Sequence, residues 1–73
     1  METIAIKKEF IKLDQLLKYA ALVPSGGEAK TVIVEGLVRV NGEVCTMRGK
    51  KIRSGDTVTF GGTELQITKD EDQ

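Results

Sequence analysis

The spacing of hydrophobic residues changes twice along this chain, from strand-like to helix-like and back. Ile4 and Ile6 alternate with small or polar neighbours, which predicts a short first strand with one buried face. Over residues 13–21 the apolar side chains recur at helical spacing, which predicts a first helix of about two to three turns. We expect Pro24 to end this helix, because proline bars the preceding residue from helical geometry.

A second helix is predicted to begin directly after the proline. Ser25 and Glu28 have the spacing of a capping box, and Gly36 lies where a helix stop is expected. The buried stripe of this helix is predicted to be Ala29, Val32 and Ile33. Because the first amide groups of a helix lack internal partners and carry the positive end of its dipole, this start is suited to an anion. Any surface helix can be capped in this way, so the capping box alone does not establish a site.

The segment after the second helix predicts a tight hairpin. Val38 and Val40 are expected to face the core, so Arg39 between them faces outward. Asn41 and Gly42 form the strongest short-range hairpin signal, since both residues tolerate positive φ. A strict two-residue loop pairs Val40 with Glu43 and mixes the two faces, so a bulge is the alternative.

The rest of the chain predicts two more strands and a basic loop. Residues 48–51 form the loop, residues 54–56 a turn, residues 57–60 a strand, and residues 64–68 the last strand after a turn at two glycines. The predicted fold class is therefore α+β, with two short packed helices against a small, mostly antiparallel sheet of about four to five short strands.

Composition limits the kind of protein further. A chain of 73 residues makes one domain with a thin core, which we place at residues 1–69, followed by an acidic disordered tail at residues 70–73. Cys45 is the single cysteine and histidine is absent, so we expect no disulfide, no metal site and no cofactor. Neither a signal peptide nor a membrane span is evident, and a cytoplasmic location is expected.

The charges are balanced in number but not in position. Eleven basic and eleven acidic residues cancel, which by itself argues against a nucleic-acid partner. The segment from Lys7 to Arg53, however, contains ten basic residues and only five acidic ones. Aromatic residues add little: Phe10 and Phe60 are assigned to the core, and Tyr19 alone is available to stack on a base. A stacking platform for single-stranded nucleic acid is therefore disfavoured.

Four segments, in this order, resemble signatures of the S-four type RNA-binding domain, whose core is the alpha-L motif. They are residues 12–17, Ser25 with residues 28–30, Gly36 with Val38, Val40, Asn41 and Gly42, and finally Gly55 with Asp56. The resemblance covers about residues 10–60 and is greatest to the short stand-alone bacterial members of YaaA or YbcJ type. Two positions depart from the family pattern: Gly26 replaces a residue that is commonly basic, and Lys12 replaces the leading arginine, which removes a bidentate donor.

The resemblance implies an RNA-facing surface made by both helix starts and the hairpin, joined by the basic loop. Its candidate residues are Lys12, Ser25, Gly26, Gly27, Lys30, Arg39, Arg48, Lys50, Lys51 and Arg53. Taken singly, each lysine is equally well explained as a solvated surface residue, and Arg39 as a charge that protects a strand edge. The glycines would let a phosphate approach the backbone closely.

The predicted function is an RNA-binding module, with no catalysis, that grips the phosphate backbone of structured RNA, either ribosomal or transfer RNA. We expect a monomer, associated with the ribosome and not with a membrane. An enzyme is disfavoured because no histidine is present to act as a base near neutral pH. The alternatives are a protein–protein interaction module, with Val34 and Leu37 as apolar surface, and a subunit that supplies RNA binding in trans to an enzyme partner.

Overall fold

The computed structural model describes residues 2–70. Its elements are β1 Glu2–Ile6, β2 Ile11–Lys12, α1 Leu13–Tyr19, α2 Gly26–Val34, β3 Val38–Val40, β4 Glu43–Val44, β5 Lys51–Ile52, β6 Thr57–Phe60 and β7 Thr63–Lys69. The predicted strand, two helices and four later strands all occur in the predicted order, as β1, α1, α2, β3, β4, β6 and β7. The sequence did not predict β2 and β5, because two residues are too few to establish a period.

Five strands form one sheet in the order β1-β7-β6-β3-β4, and β2 pairs with β5 in a second, two-stranded sheet. Only β1 and β7 run parallel among these pairs, so the prediction of a mostly antiparallel sheet is confirmed. Ile4 pairs with Ile67, and the N–H of Asp70 donates to the carbonyl of Ile6 at 2.7 Å. Strand pairing thus ends at Lys69, one backbone hydrogen bond reaches Asp70 of the predicted tail, and residues 71–73 lie outside the described residues.

One hydrophobic cluster joins the helices to the sheet. It comprises Ile6, Leu13, Leu16, Leu17, Val23, Ala29, Val32, Ile33, Val38, Val40, Ile52, Val58, Leu65 and Ile67. The predicted stripe of α2 is confirmed, and Phe60 packs against the cluster. The assignment of Phe10 to the core is wrong: its side chain is half-buried and lies outside the cluster, beside the cations of Lys51 and Arg53.

Both helices end in the same way, and for α1 this contradicts the predicted end at Pro24. Ala21 has φ 61°, the N–H of Ala21 donates to Lys18, and the N–H of Leu22 donates to Leu17. This is a Schellman motif, which ends α1 at Tyr19, well before the proline. Because alanine favours helices, nothing in the sequence marked this left-handed residue. In α2 the same motif uses the predicted Gly36, with φ 79°.

The hairpin has the two-residue loop, and the alternative of a bulge is wrong. Val40 pairs with Glu43, and Arg39 pairs with Val44. Asn41 and Gly42 adopt φ 53° and φ 87°, as a turn with two positive-φ residues requires. The mixed faces are tolerated because β4 is a short edge strand with both side chains exposed.

Within residues 2–70, no helix is long and apolar enough to cross a bilayer.

Candidate nucleic-acid interface

The start of α2 is capped by one of the two hydrogen bonds of a capping box. Ser25 has extended backbone geometry, and its Oγ accepts from the N–H of Glu28 at 3.3 Å. Within residues 2–70, the Glu28 carboxylate accepts no hydrogen bond from the N–H of Ser25. The predicted capping box is therefore half formed, and its serine satisfies the third amide of the helix.

The two glycines at this start leave their amides and the space above them open. The N–H groups of Gly26 and Gly27 have no acceptor in the described part of the chain. A Cβ at Gly26 would meet no atom within 4 Å, and one at Gly27 would meet only the Ser25 Oγ at 3.9 Å. Lys30 is exposed one turn further along the helix. An anion can thus approach two unpaired amides at the positive end of the helix dipole.

A second group of predicted residues is assembled by the small sheet and by the start of α1. Lys12 lies directly opposite Lys51 in the β2–β5 pair. The N–H groups of Leu13 and Asp14 donate to the carbonyls of Lys50, at 2.9 Å, and Arg48, at 3.1 Å. The basic loop therefore caps α1 through its backbone. We name Lys12, Arg48, Lys50, Lys51 and Arg53 the basic cluster.

The basic cluster has an aromatic partner, and within residues 2–70 none of its members forms an ion pair with an acid. The Lys51 Nζ lies 4.9 Å, and the Arg53 guanidinium 5.7 Å, from the centre of the Phe10 ring, within cation–π range. The one ion pair among residues 2–70 joins Lys69 to Glu9 at 2.9 Å. The hydrogen bond and charge of Lys69, with a smaller contribution from the charge of Arg53, lower the pKa of Glu9 from its ordinary 4.5. Lys12 and Lys51 carry like charges on opposite strand positions, and such charges repel each other. A bound anion would reduce this repulsion.

Arg39 belongs to neither group in this structure. Its Nη1 donates to the carbonyl of Gly42 at 3.4 Å, across its own hairpin. Its neighbours Val38 and Val40 are buried in the core, so Arg39 lies on the opposite, outer face of the sheet. Within residues 2–70, no hydrogen bond or ion pair connects it to the α2 start or to the basic cluster.

Two of the signature segments bind each other, a role that the sequence did not predict. The Asn41 Nδ2 donates to Asp56 Oδ1 at 3.1 Å, and Asn41 Oδ1 accepts from the N–H of Thr57 at 2.9 Å. Asp56 Oδ2 also accepts from the N–H of Arg53 at 2.9 Å. The hairpin turn and the later Gly-Asp turn thus hold each other, and Asp56 also fixes the backbone of Arg53, the residue that follows β5. The one available signal was the choice of asparagine and aspartate, whose side chains can bond to backbone.

Chemistry-bearing side chains are sparse in the described residues. Cys45 is half-buried, and its Sγ lies 3.8 Å from the carbonyl of Met47. Residues 2–70 contain no group of three or more side chains able to hold a metal ion. Among the predicted site residues, the features on which an anion could act are the two open amides of α2 and the basic cluster.

Comparison with known proteins finds relatives of similar length. "Putative RNA-binding protein YbcJ" of Escherichia coli (strain K12) is 40% identical over 68 residues, which cover 92% of this chain and 97% of that protein. "Probable ribosome maturation protein RlbA" of Bacillus subtilis (strain 168) is 44% identical over 59 residues, which cover 81% of this chain and 83% of that protein.

The fold and the family pattern agree with these relatives. The solution structure of E. coli YbcJ, described as revealing an αL motif involved in RNA binding, has a TM-score of 0.72 to this chain at 39% identity. That match covers 93% of this chain and 87% of the other. The sequence pattern of the S4 domain matches residues 4–68. Because this match spans almost the whole chain, the protein belongs to the S4 domain family.

Proposed function

We propose that this protein binds structured RNA by its phosphate backbone and performs no chemical reaction on it. The observation that carries the proposal is the basic cluster, whose five cations lie on the β2–β5 pair and the segments that flank it and form no ion pair with an acid in the described residues. Neutralisation of several phosphates by such cations releases counterions and supplies most sequence-independent affinity for nucleic acid. The named RNA-binding relative supports RNA as the polymer.

The two parts of the surface have different roles in this proposal. Gly26 and Gly27 offer backbone amides to the oxygens of one phosphate, and Lys30 adds charge beside them. The basic cluster neutralises neighbouring phosphates from rigid positions, because Lys12 and Lys51 are paired strand residues. Recognition by backbone and shape suits the A-form geometry of a folded RNA. Arg39 remains a predicted RNA contact, and its contribution to RNA affinity is to be measured separately from those of the α2 start and the basic cluster.

Ribosomal RNA is the class of RNA that we favour over transfer RNA. The support is the relative named as a ribosome maturation protein, which covers most of both chains. We further propose that the protein acts as a monomer in the cytoplasm and as a binding module. The absence of histidine from the sequence removes the usual base for catalysis near neutral pH.

The test compares two lysines that differ only in their place in the structure. Lys51→Gln removes a cation of the basic cluster, and Lys18→Gln removes an exposed cation from the last turn of α1. Affinity for a hairpin of ribosomal RNA is measured at several salt concentrations. We expect Lys51→Gln to weaken binding and to reduce the salt slope by about 0.7 to 0.9, while Lys18→Gln leaves both near wild type. Equal effects of the two variants would refute the basic cluster as the binding surface.

A protein-interaction module remains the second candidate, because large apolar side chains are exposed near the end of α2, on the hairpin and in the loop that follows it. Val34, Leu37, Val44 and Met47 are 56%, 53%, 51% and 64% exposed. A wild-type protein that binds no structured RNA at low salt, yet pulls down a protein partner that Leu37→Gln no longer retains, would support this candidate.

A further inference from the structure

A cleft of about 490 Å³ lies between the end of β1 and the exposed side of α1. The polar and aromatic side chains that line it belong to Lys7, Lys8, Phe10, Lys12, Gln15 and Tyr19. The volume falls within the range of about 300 to 1,000 Å³ that small-ligand sites occupy. Of these lining residues, Lys12 alone belongs to the phosphate-binding surface described above.

The charged side chains that line the cleft are all basic. Glu9 lies between Lys8 and Phe10 in sequence and would bring an acid to the same wall. Its carboxylate is instead held by the Lys69 Nζ of β7 at 2.9 Å, and Glu9 is not among the lining residues. The ion pair therefore directs the acid of this segment to β7, and the cleft favours an anionic ligand.

The two aromatic residues of the cleft are not required by the core. Phe10 lies outside the hydrophobic cluster, and Tyr19 is 65% exposed. A ring surface combined with ammonium groups fits the two parts of a nucleotide, since the base stacks on the ring and the phosphate pairs with the cation. A purely anionic ligand would use the lysines alone and would leave both rings unexplained.

The cleft is continuous with the proposed phosphate-binding surface. Lys12 belongs both to the cleft lining and to the basic cluster. Lys51 and Arg53 of that cluster lie over the ring of Phe10. A strand whose phosphates contact the basic cluster therefore passes the mouth of the cleft, where one of its bases can enter.

We propose that this cleft takes a single unpaired base of the bound RNA, with Phe10 and Tyr19 as the stacking surfaces and Lys7, Lys8 and Lys12 around its phosphate. The inference rests on the proposed function, because it names the kind of RNA that the same surface selects. A base within a continuous helix has both faces covered by its neighbours and cannot enter, whereas a bulged or looped-out base can.

The experiment uses two RNA hairpins that differ by one bulged nucleotide, a 2-aminopurine whose fluorescence reports stacking. Wild type is expected to bind the bulged hairpin about five-fold or more tightly than the paired one, because stacking on an aromatic side chain contributes at least this much. Phe10→Leu and Tyr19→Leu keep apolar side chains at positions outside the core. We expect each to lose the preference and the fluorescence change while still binding the paired hairpin.

The outcomes separate the cleft from the wider function. Equal affinity of wild type for the two hairpins, unchanged in both variants, overturns the cleft and leaves phosphate-backbone binding intact. If wild type binds neither hairpin, the proposed function fails, and the cleft proposal fails with it. If Phe10→Leu melts like wild type but weakens both hairpins equally, Phe10 serves only to position Lys51 and Arg53, and base stacking is refuted.

Discussion

A methyl group added at the start of α2 should stabilise the protein and weaken its binding of RNA. Gly26→Ala and Gly27→Ala make this change at positions where a Cβ meets no atom within 4 Å, or only the Ser25 Oγ at 3.9 Å. Neither glycine is among the positive-φ glycines of the described residues, so alanine fits the backbone. The added carbon occupies the space that we assign to a phosphate.

The gain in stability follows from the unfolded chain. Replacing glycine by alanine at a compatible position reduces the entropy of the unfolded state and raises the free energy of unfolding by about 0.4 to 1 kcal/mol. For a domain of this size, about 1 kcal/mol shifts Tm by about 4 to 8 °C, so an increase of about 2 to 8 °C is expected.

The loss of affinity follows from the amides. A hydrogen bond to a charged group contributes about 1.5 to 3 kcal/mol. A Cβ that keeps a phosphate from reaching one amide of Gly26 or Gly27 should therefore weaken binding about ten-fold or more. The two effects have opposite signs, so general damage to the fold cannot imitate the result.

The assay combines thermal melts with RNA titrations at one fixed salt concentration, because the affinity depends steeply on salt. Val34→Ala is the matched control, since it lies in the last turn of the same helix with a side chain that is 56% exposed. It replaces a β-branched residue by the best helix former and should leave RNA affinity unchanged. If Gly26→Ala and Gly27→Ala both bind RNA like wild type, no phosphate contacts these amides and the reasoning is refuted.

Three further changes test the fold. Ala21→Gly should raise the free energy of unfolding by about 0.5 to 1 kcal/mol, because Ala21 has φ 61° and glycine removes the Cβ strain. Asn41→Gly keeps the turn but removes the bonds to Asp56 and Thr57, and should cost about 1 to 2 kcal/mol in chemical denaturation. Glu9→Gln should make the free energy of unfolding depend less on pH in the acid range. The pKa of Glu9 is lowered in the fold, so its contribution to stability is present above pH 4.5 and is lost as pH falls through the folded pKa.

Each of these changes has its own control. Ala20→Gly, at a residue with φ −82°, should destabilise the protein, and a gain there would contradict the argument from Ala21. Asn41→Gly and Asp56→Ala should be non-additive in a double-mutant cycle, and simple additivity would show that their hydrogen bond contributes nothing. Glu9→Gln and wild type should converge in high salt, which screens an exposed ion pair; parallel pH curves in low salt would dismiss its role.

Helices, caps and turns could be predicted from the sequence where they depend on residues close together in the chain. The periodicity of α2, its serine cap, the stop at Gly36 and the turn at Asn41 and Gly42 each depend on residues a few positions apart. The prediction for the end of α1 was wrong because Ala21 adopts a conformation that alanine does not favour. That conformation is stabilised by two backbone hydrogen bonds, from the N–H groups of Ala21 and Leu22. Backbone hydrogen bonds of this kind do not depend on the type of side chain, so the sequence does not predict them.

The sequence by itself determined the α+β class, the two helices, the hairpin and the list of cations, because period, capping and turn chemistry act between near neighbours. Only the tertiary structure decided which cations lie on neighbouring segments. Lys12 lies beside Lys51, and the carbonyls of Arg48 and Lys50 cap α1, because strand pairing brings distant segments together. The same packing left Arg39 on the outer face of the sheet and Phe10 outside the core beside two cations. Where a side chain points after distant segments pair depends on the packing of the whole domain, which a local pattern does not contain.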